Sequence, residues 1–160
     1  MKSELTPNIC YIAGLFSKSS RREKNYVSVN TEITELQQRF IEIAVNDLGI
    51  PPSKIILGRE SEISAGFYHS RVAKQLQDII NRETFVFKTS NGLSRSYLAG
   101  MFDIAGHYIK SVEIHHVNPK DALMLENLGI HTKGDKIMNI SKFIALIKDF
   151  SIIIKQLNLD

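Results

Sequence analysis

Apolar side chains recur along the chain with periods of about 3.6 and 2, and the switches between the two sketch its elements. Residues 7–18 place Ile12, Leu15 and Phe16 at i, i+3 and i+4, the spacing of one helical face. Val27 and Val29 then alternate with other residues across 26–30, as in a half-buried strand. Residues 31–48 return to the helical period, with Ile33, Leu36, Phe40, Ile43 and Ala44 as the inner stripe. Thr31 is the expected cap and Gly49 the expected stop. Pro51 and Pro52 forbid continuation. Residues 54–58 and 63–68 read as two strands joined by the polar link Arg59-Glu60-Ser61-Glu62. Residues 69–80 are amphipathic, with Val72, Leu76, Ile79 and Ile80 on one face. Residues 81–93 form a connector, part of which Phe85-Val86-Phe87 should pack down.

The second half repeats the order. A helix capped by Ser94 is released at Gly106, and residues 108–117 read as one strand. Pro119 opens the next helix, and Gly134-Asp135 is a short hairpin turn. Ser141 is expected to cap a last helix facing inward through Phe143, Ile144, Ile147 and Phe150, prolonged by Ile153, Ile154 and Leu157. The helices at 31–48 and 119–128 run into Leu48-Gly49-Ile50 and Leu128-Gly129-Ile130, each followed by a polar turn and a β-rich stretch. The predicted architecture is α+β: two pseudo-repeats of helix, strand, helix, strand, strand, helix, over approximately residues 7–81 and 94–158, within one domain of residues 1–160.

The two leading helices share their wording. Tyr11-Ile12-Ala13-Gly14-Leu15-Phe16 returns as Tyr97-Leu98-Ala99-Gly100-Met101-Phe102, 86 residues on. Each carries large apolar residues on one side and little more than Ala-Gly on another, so two such helices can meet backbone to backbone. The pair resembles the signature of the LAGLIDADG homing endonucleases. The resemblance implies that these helices form a seam through Ala13, Gly14, Ala99 and Gly100. It also implies curved antiparallel sheets, covered by helices on one face and meeting DNA on the other, and a monomer with an internal two-fold pseudo-symmetry. In that family the eighth motif residue is an acid that holds the metal for DNA cleavage; here those positions are Ser19 and Ala105. Neither supplies a carboxylate, and a hard divalent cation needs such oxygens. Asp103, at the sixth position, survives, but about 200° around the helix from the eighth it cannot simply substitute. Lys18 beside the lost acid suits phosphate contact and repels a metal. Only ten to thirteen residues separate each motif from the next helix, room for one good strand and tight for a long reading hairpin.

Composition adds limits. With 160 residues, 43% hydrophobic and 23% charged, the chain can bury a real core. No apolar run approaches the roughly 20 residues that cross a bilayer. The first residues lack the apolar segment of a secretory signal, and a single cysteine, Cys10, forms no internal disulfide, so a cytoplasmic location is expected. A net charge of +3 is compatible with nucleic acid without requiring it. The phosphate-contact candidates are Lys18, Arg21, Arg22, Lys24, Lys54, Arg59, Lys110, Lys133 and Lys136, interleaved with Glu60, Glu62, Glu113 and Asp135. Aromatic residues for stacking are sparse, which favours a duplex saddle over a single-strand platform. His115-His116 with Glu113 and His131 suggests a metal site, but adjacent strand residues point to opposite faces, so none is expected. Cys10 lacks a His or Asn partner for catalysis, and no phosphate-binding glycine loop or cofactor site is present. The function expected first is a non-cleaving LAGLIDADG-like protein that binds nucleic acid, duplex DNA above RNA, as a regulator or maturase-like factor. The alternatives are a protein-interaction module that has lost DNA binding, and an active endonuclease with a displaced metal site built on Asp103.

Overall fold

Two helices run through the middle of the molecule, which is described here from a computed structural model covering residues 4–18, 23–108 and 111–157. Helix α1 (Pro7–Ser17) starts at Thr6, whose Oγ1 accepts from Ile9 N at 3.2 Å, and Pro7 occupies the first turn, where its missing N–H is not needed. Ile9 to Phe16 are all buried, Cys10 completely, so the helix has almost no solvent face. Helix α5 (Gly92–Ala105) makes its most extensive contact with α1. A Cβ built on Gly14 would press into the Tyr97 carbonyl oxygen and lie 2.9 Å from Met101 N. One built on Gly100 would press into the Tyr11 carbonyl oxygen and lie 3.0 Å from Leu15 N. Each glycine thus admits the other helix's backbone, where any side chain would hold it off.

The architecture among the described residues is α+β, with eight α-helices and two antiparallel sheets. The first sheet has the order β1-β3-β2, from β1 (Tyr26–Asn30), β2 (Ile56–Leu57) and β3 (Ser64–Tyr68). Val27, Val29, Ala65 and Phe67 point to one side, where α1, α2 (Thr34–Asn46) and α3 (Ser70–Asn81) cover them. The second sheet has the order β4-β5-β7-β6, from β4 (Gly106–Tyr108), β5 (Val112–Ile114), β6 (Thr132–Lys133) and β7 (Lys136–Ile137). Val112, Ile114 and Ile137 face the core beside α5, α6 (Pro119–Asn127) and α7 (Ile140–Ile147). Helix α4 (Glu83–Val86) lies in the connector and places Phe87 in the core, stacked on Tyr97 with ring centroids 4.4 Å apart. One cluster of buried apolar side chains joins both halves. Among the described residues no helix is long and apolar enough to cross a membrane.

Several boundaries differ from the sequence-based expectation. The strand expected at 108–117 is a hairpin, β4 with β5, because β4 begins directly at Gly106, where the helix ends, and leaves length for a return strand. His116 has φ +63, which ends the extended run, so His115 and His116 lie beyond the strand. The cap of α5 is Asn91, whose Oδ1 accepts from Ser94 N at 3.0 Å, while Ser94 Oγ accepts from Asn91 N at 2.9 Å; the serine is the third residue of a capping box. Thr31 does not cap α2: its Oγ1 takes Ile33 N at 3.1 Å in the preceding turn, and the helix starts at Thr34. Ser141 lies inside α7, and Asn139 before it is committed to His131 N at 2.9 Å. The last helix is two helices, because Ser151 starts α8 (Ile152–Gln156) by accepting from Ile154 N at 3.1 Å. The sequence stop at Gly49 is well placed, since its φ of +70 is a conformation that side chains resist.

Candidate functional site

The C-terminal ends of α1 and α5 open onto a cleft of about 270 Å³ lined from both halves of the chain. The first half contributes Lys18, Ser28, Asn30 and Glu60, the second Ala105, His115 and His116. Ala105, the eighth residue of the second motif, lines this cleft; Ser19 lies outside the described residues, as do Arg21, Arg22 and Lys110. The two histidines share the cleft, contrary to the expectation that neighbours point apart, because the left-handed backbone at His116 turns its ring back, 6.4 Å from that of His115. The donor set does not suit the metal that the family resemblance implies. Ala105 has no donor atom, Lys18 brings a cation, and no group of three His, Cys, Asp or Glu among the described residues could hold one.

Lys18 is not the exposed phosphate contact expected from sequence. Its Nζ is paired with Asp121 and donates to the His116 carbonyl at 2.9 Å, and the side chains of the pair retain only 5% and 3% of their exposure. The lysine turns inward because Asp121 is fixed behind the cleft as part of the α6 capping box, donating N–H to Asn118 Oδ1 at 2.8 Å and accepting from Asn118 N at 3.1 Å. Behind Asp121 lies Glu83, buried, which accepts from Tyr97 Oη at 2.7 Å. Burial, then the adjoining Asp121 carboxyl, push Glu83 up to about 8. Burial also pushes Asp121 up, but the hydrogen bond from Glu83 and the Lys18 ammonium outweigh it and hold this carboxyl below its usual range. Of the two acids, Glu83 is thus pushed up and Asp121 held down, so Glu83 keeps a proton the more readily.

This arrangement has a pH consequence. Glu83 titrates higher in the folded protein than in the unfolded chain, so between about 4.5 and about 8 the folded state binds the extra proton. Its contribution is complete at the lower end and is lost as pH rises through about 8, by at most about 1.4 kcal/mol per pH unit. Glu83→Gln, which keeps an acceptor for Tyr97 and a donor for Asp121, is expected to flatten that slope in urea unfolding measured from pH 5 to 9. An unchanged slope would place the proton elsewhere.

Asp103 points away from the cleft. It is buried, and it accepts from Tyr11 Oη, from Ser151 Oγ at 2.6 Å, and from Ile152 N and Ile153 N at 3.0 and 3.3 Å. Burial raises it despite these bonds. The surviving motif acid is thus the anchor of α8, with both oxygens engaged. Its counterpart contact joins Tyr97 to Ser17, the sixth residue of the first motif, so each motif tyrosine reaches the sixth position of the other helix.

The remaining basic candidates are dispersed. On the second sheet His107 faces Glu113, Glu113 faces Lys136, and Lys136 faces Lys133, all on the side away from Val112 and Ile137. Lys133 and Lys136 are exposed there. Lys24 is exposed in the turn before β1, and Lys54 in a 3-10 turn, Pro52–Lys54, off the strands. Arg59 lies against the helix-free face of the first sheet, paired with Glu23 at 3.3 Å, so that face is partly neutralised by its own acids, including Glu60, which accepts from Ser28 at 2.7 Å. Sequence reasoning overlooked Asp121 and Glu83; the run Asn118-Pro119-Lys120-Asp121 carries a capping signal for the first, and nothing local marks the second. No family model, curated protein or solved structure matches the chain.

Proposed function

We propose that the protein is a non-cleaving relative of the LAGLIDADG endonucleases that binds nucleic acid, duplex DNA first, across the helix-free faces of its two sheets. The observation that carries this reading is the reciprocal crossing at Gly14 and Gly100, where each helix enters the space a side chain would fill on the other. Ordinary helix packing at 8–10 Å does not demand that. The paired reach of Tyr11 to Asp103 and Tyr97 to Ser17 supports an internal duplication, two pseudo-repeats related by a two-fold axis along the seam. The cleft at the helix ends carries Ala105 where the resembled family has an acid, which supports binding without cleavage.

Fluorescence anisotropy tests it. A labelled duplex at about 0.1 M salt is expected to bind at micromolar concentration or tighter, with affinity falling as salt rises. Reversing both lysines, Lys133→Glu with Lys136→Glu, should weaken binding at least tenfold and reduce the salt slope by about 2. No nicks should appear with Mg²⁺ or Mn²⁺. Failure of every duplex and RNA to bind below micromolar concentration would overturn the reading. A protein-interaction module is the second reading, favoured by the neutralised first sheet, where Glu23 and Glu60 lie beside Arg59, and by exposed Leu57 at its edge.

A further inference from the structure

We infer that the helix-free face of the first sheet is a seat for an unpaired nucleobase, stacked on Tyr68 while Arg59 takes the adjoining phosphate. This rests on the nucleic-acid reading and narrows its substrate class to a strand with a base out of the helix. Tyr26 and Tyr68 are opposite one another across β1 and β3, with ring centroids 4.6 Å apart and planes inclined by 40°. Gly66 makes room for this pair, since a Cβ there would lie 2.6 Å from Tyr26 Cζ. The guanidinium of Arg59 lies over both rings, 5.8 Å from the centroid of Tyr26 and 5.3 Å from that of Tyr68. A flat cation already rests where a flat base would, and bases stack on aromatic rings and on guanidinium planes alike.

Three further observations favour a ligand over mere paving of the sheet. Tyr68 remains 40% exposed, although paving over Gly66 needs Tyr26 alone. The Arg59–Glu23 pair has both side chains 47% exposed, and an exposed pair is weak enough for a phosphate, which a guanidinium meets with two hydrogen bonds, to displace the carboxylate. Tyr26 Oη is closed off from solvent and has no hydrogen-bond partner among the described residues. That hydroxyl lies over Gly66 with a proton to donate to a base edge or phosphate oxygen that reaches it. Glu60, held by Ser28, repels phosphate on one side of the pair. Glu23, which also accepts from Tyr68 Oη at 2.9 Å, is the carboxylate that an incoming phosphate has to replace.

The test uses duplexes carrying one bulged 2-aminopurine, made in DNA and in RNA, beside fully paired controls. The wild-type protein is expected to quench the bulged probe of at least one kind and to bind it roughly tenfold tighter than the paired control. Tyr68→Phe should keep both effects. Tyr68→Leu should lose both the quenching and the preference for the bulged probe over the paired control, and Arg59→Met, a change at an exposed loop residue, should lose the tenfold preference. Equal binding of bulged and paired probes without quenching, or undiminished quenching by Tyr68→Leu, would refute the seat while leaving the nucleic-acid reading in place. Failure to bind either probe would sink both.

Discussion

Placing a single methyl group at the centre of the molecule, Gly14→Ala or Gly100→Ala, is expected to destabilise the protein by more than about 3 kcal/mol. The new Cβ would meet backbone atoms, Tyr97 O and Met101 N in one case, Tyr11 O and Leu15 N in the other. A clash with a flexible side chain can be relieved by a new rotamer; a clash with a carbonyl oxygen in mid-helix cannot. The helices must separate, and separation loosens Ile12, Leu15, Leu98 and Met101 around them. Urea unfolding measures the loss. The double variant should lose less than the sum of the two, because helices already parted leave space for the second methyl. A loss below about 1 kcal/mol in both single variants would mean that the close approach is not needed for stability.

The second large effect is at Asp103. Asp103→Ala would remove the acceptor for two hydroxyls and two backbone amides at once, all in the interior. Each buried donor left unpaired costs about 1–3 kcal/mol, less where a hydroxyl can turn elsewhere, so a total near 3 kcal/mol is expected. Asp103→Asn keeps one acceptor oxygen and avoids burying a charge that the site already disfavours, and should cost about 1 kcal/mol. Hydrogen exchange at the amides of 152–156 should rise sharply in the alanine variant and modestly in the asparagine one. These outcomes separate an anchor from a displaced metal ligand. A ligand would lose Mg²⁺-dependent nicking in Asp103→Asn with stability unchanged.

What could be read from the sequence was whatever periodicity and backbone chemistry determine locally. Of the predicted inner stripe, Leu36, Phe40, Ile43 and Ala44 are buried, while Ile33 sits half-buried just before the helix, and Pro119 opens α6. The Ala-Gly steps at residues 13–14 and 99–100 announced a close approach, and the helices make it at their glycines. The errors arose where a side chain had a distant partner. Lys18 reads as an exposed cation beside a helix end, yet its partner Asp121 is 103 residues away. Asp103 reads as a polar residue near a helix end, and its partners are at 11 and 151–153. Aromatic residues that are sparse in sequence become adjacent in space when β1 pairs with β3, which puts Tyr26 against Tyr68. Nothing within a window of ten residues contains that register.

Cys10, completely enclosed in α1, provides a chemical clock for the interior. Its thiol is pushed up to about 12 by burial, so at neutral pH the reactive thiolate is almost wholly suppressed while the helix stays packed. Alkylation can proceed only during excursions that bring this residue into water, and its rate would count those openings without any added label. Nucleic acid that grips both sheets at once should slow the count, whereas a ligand resting on one sheet alone should leave it nearly unaltered.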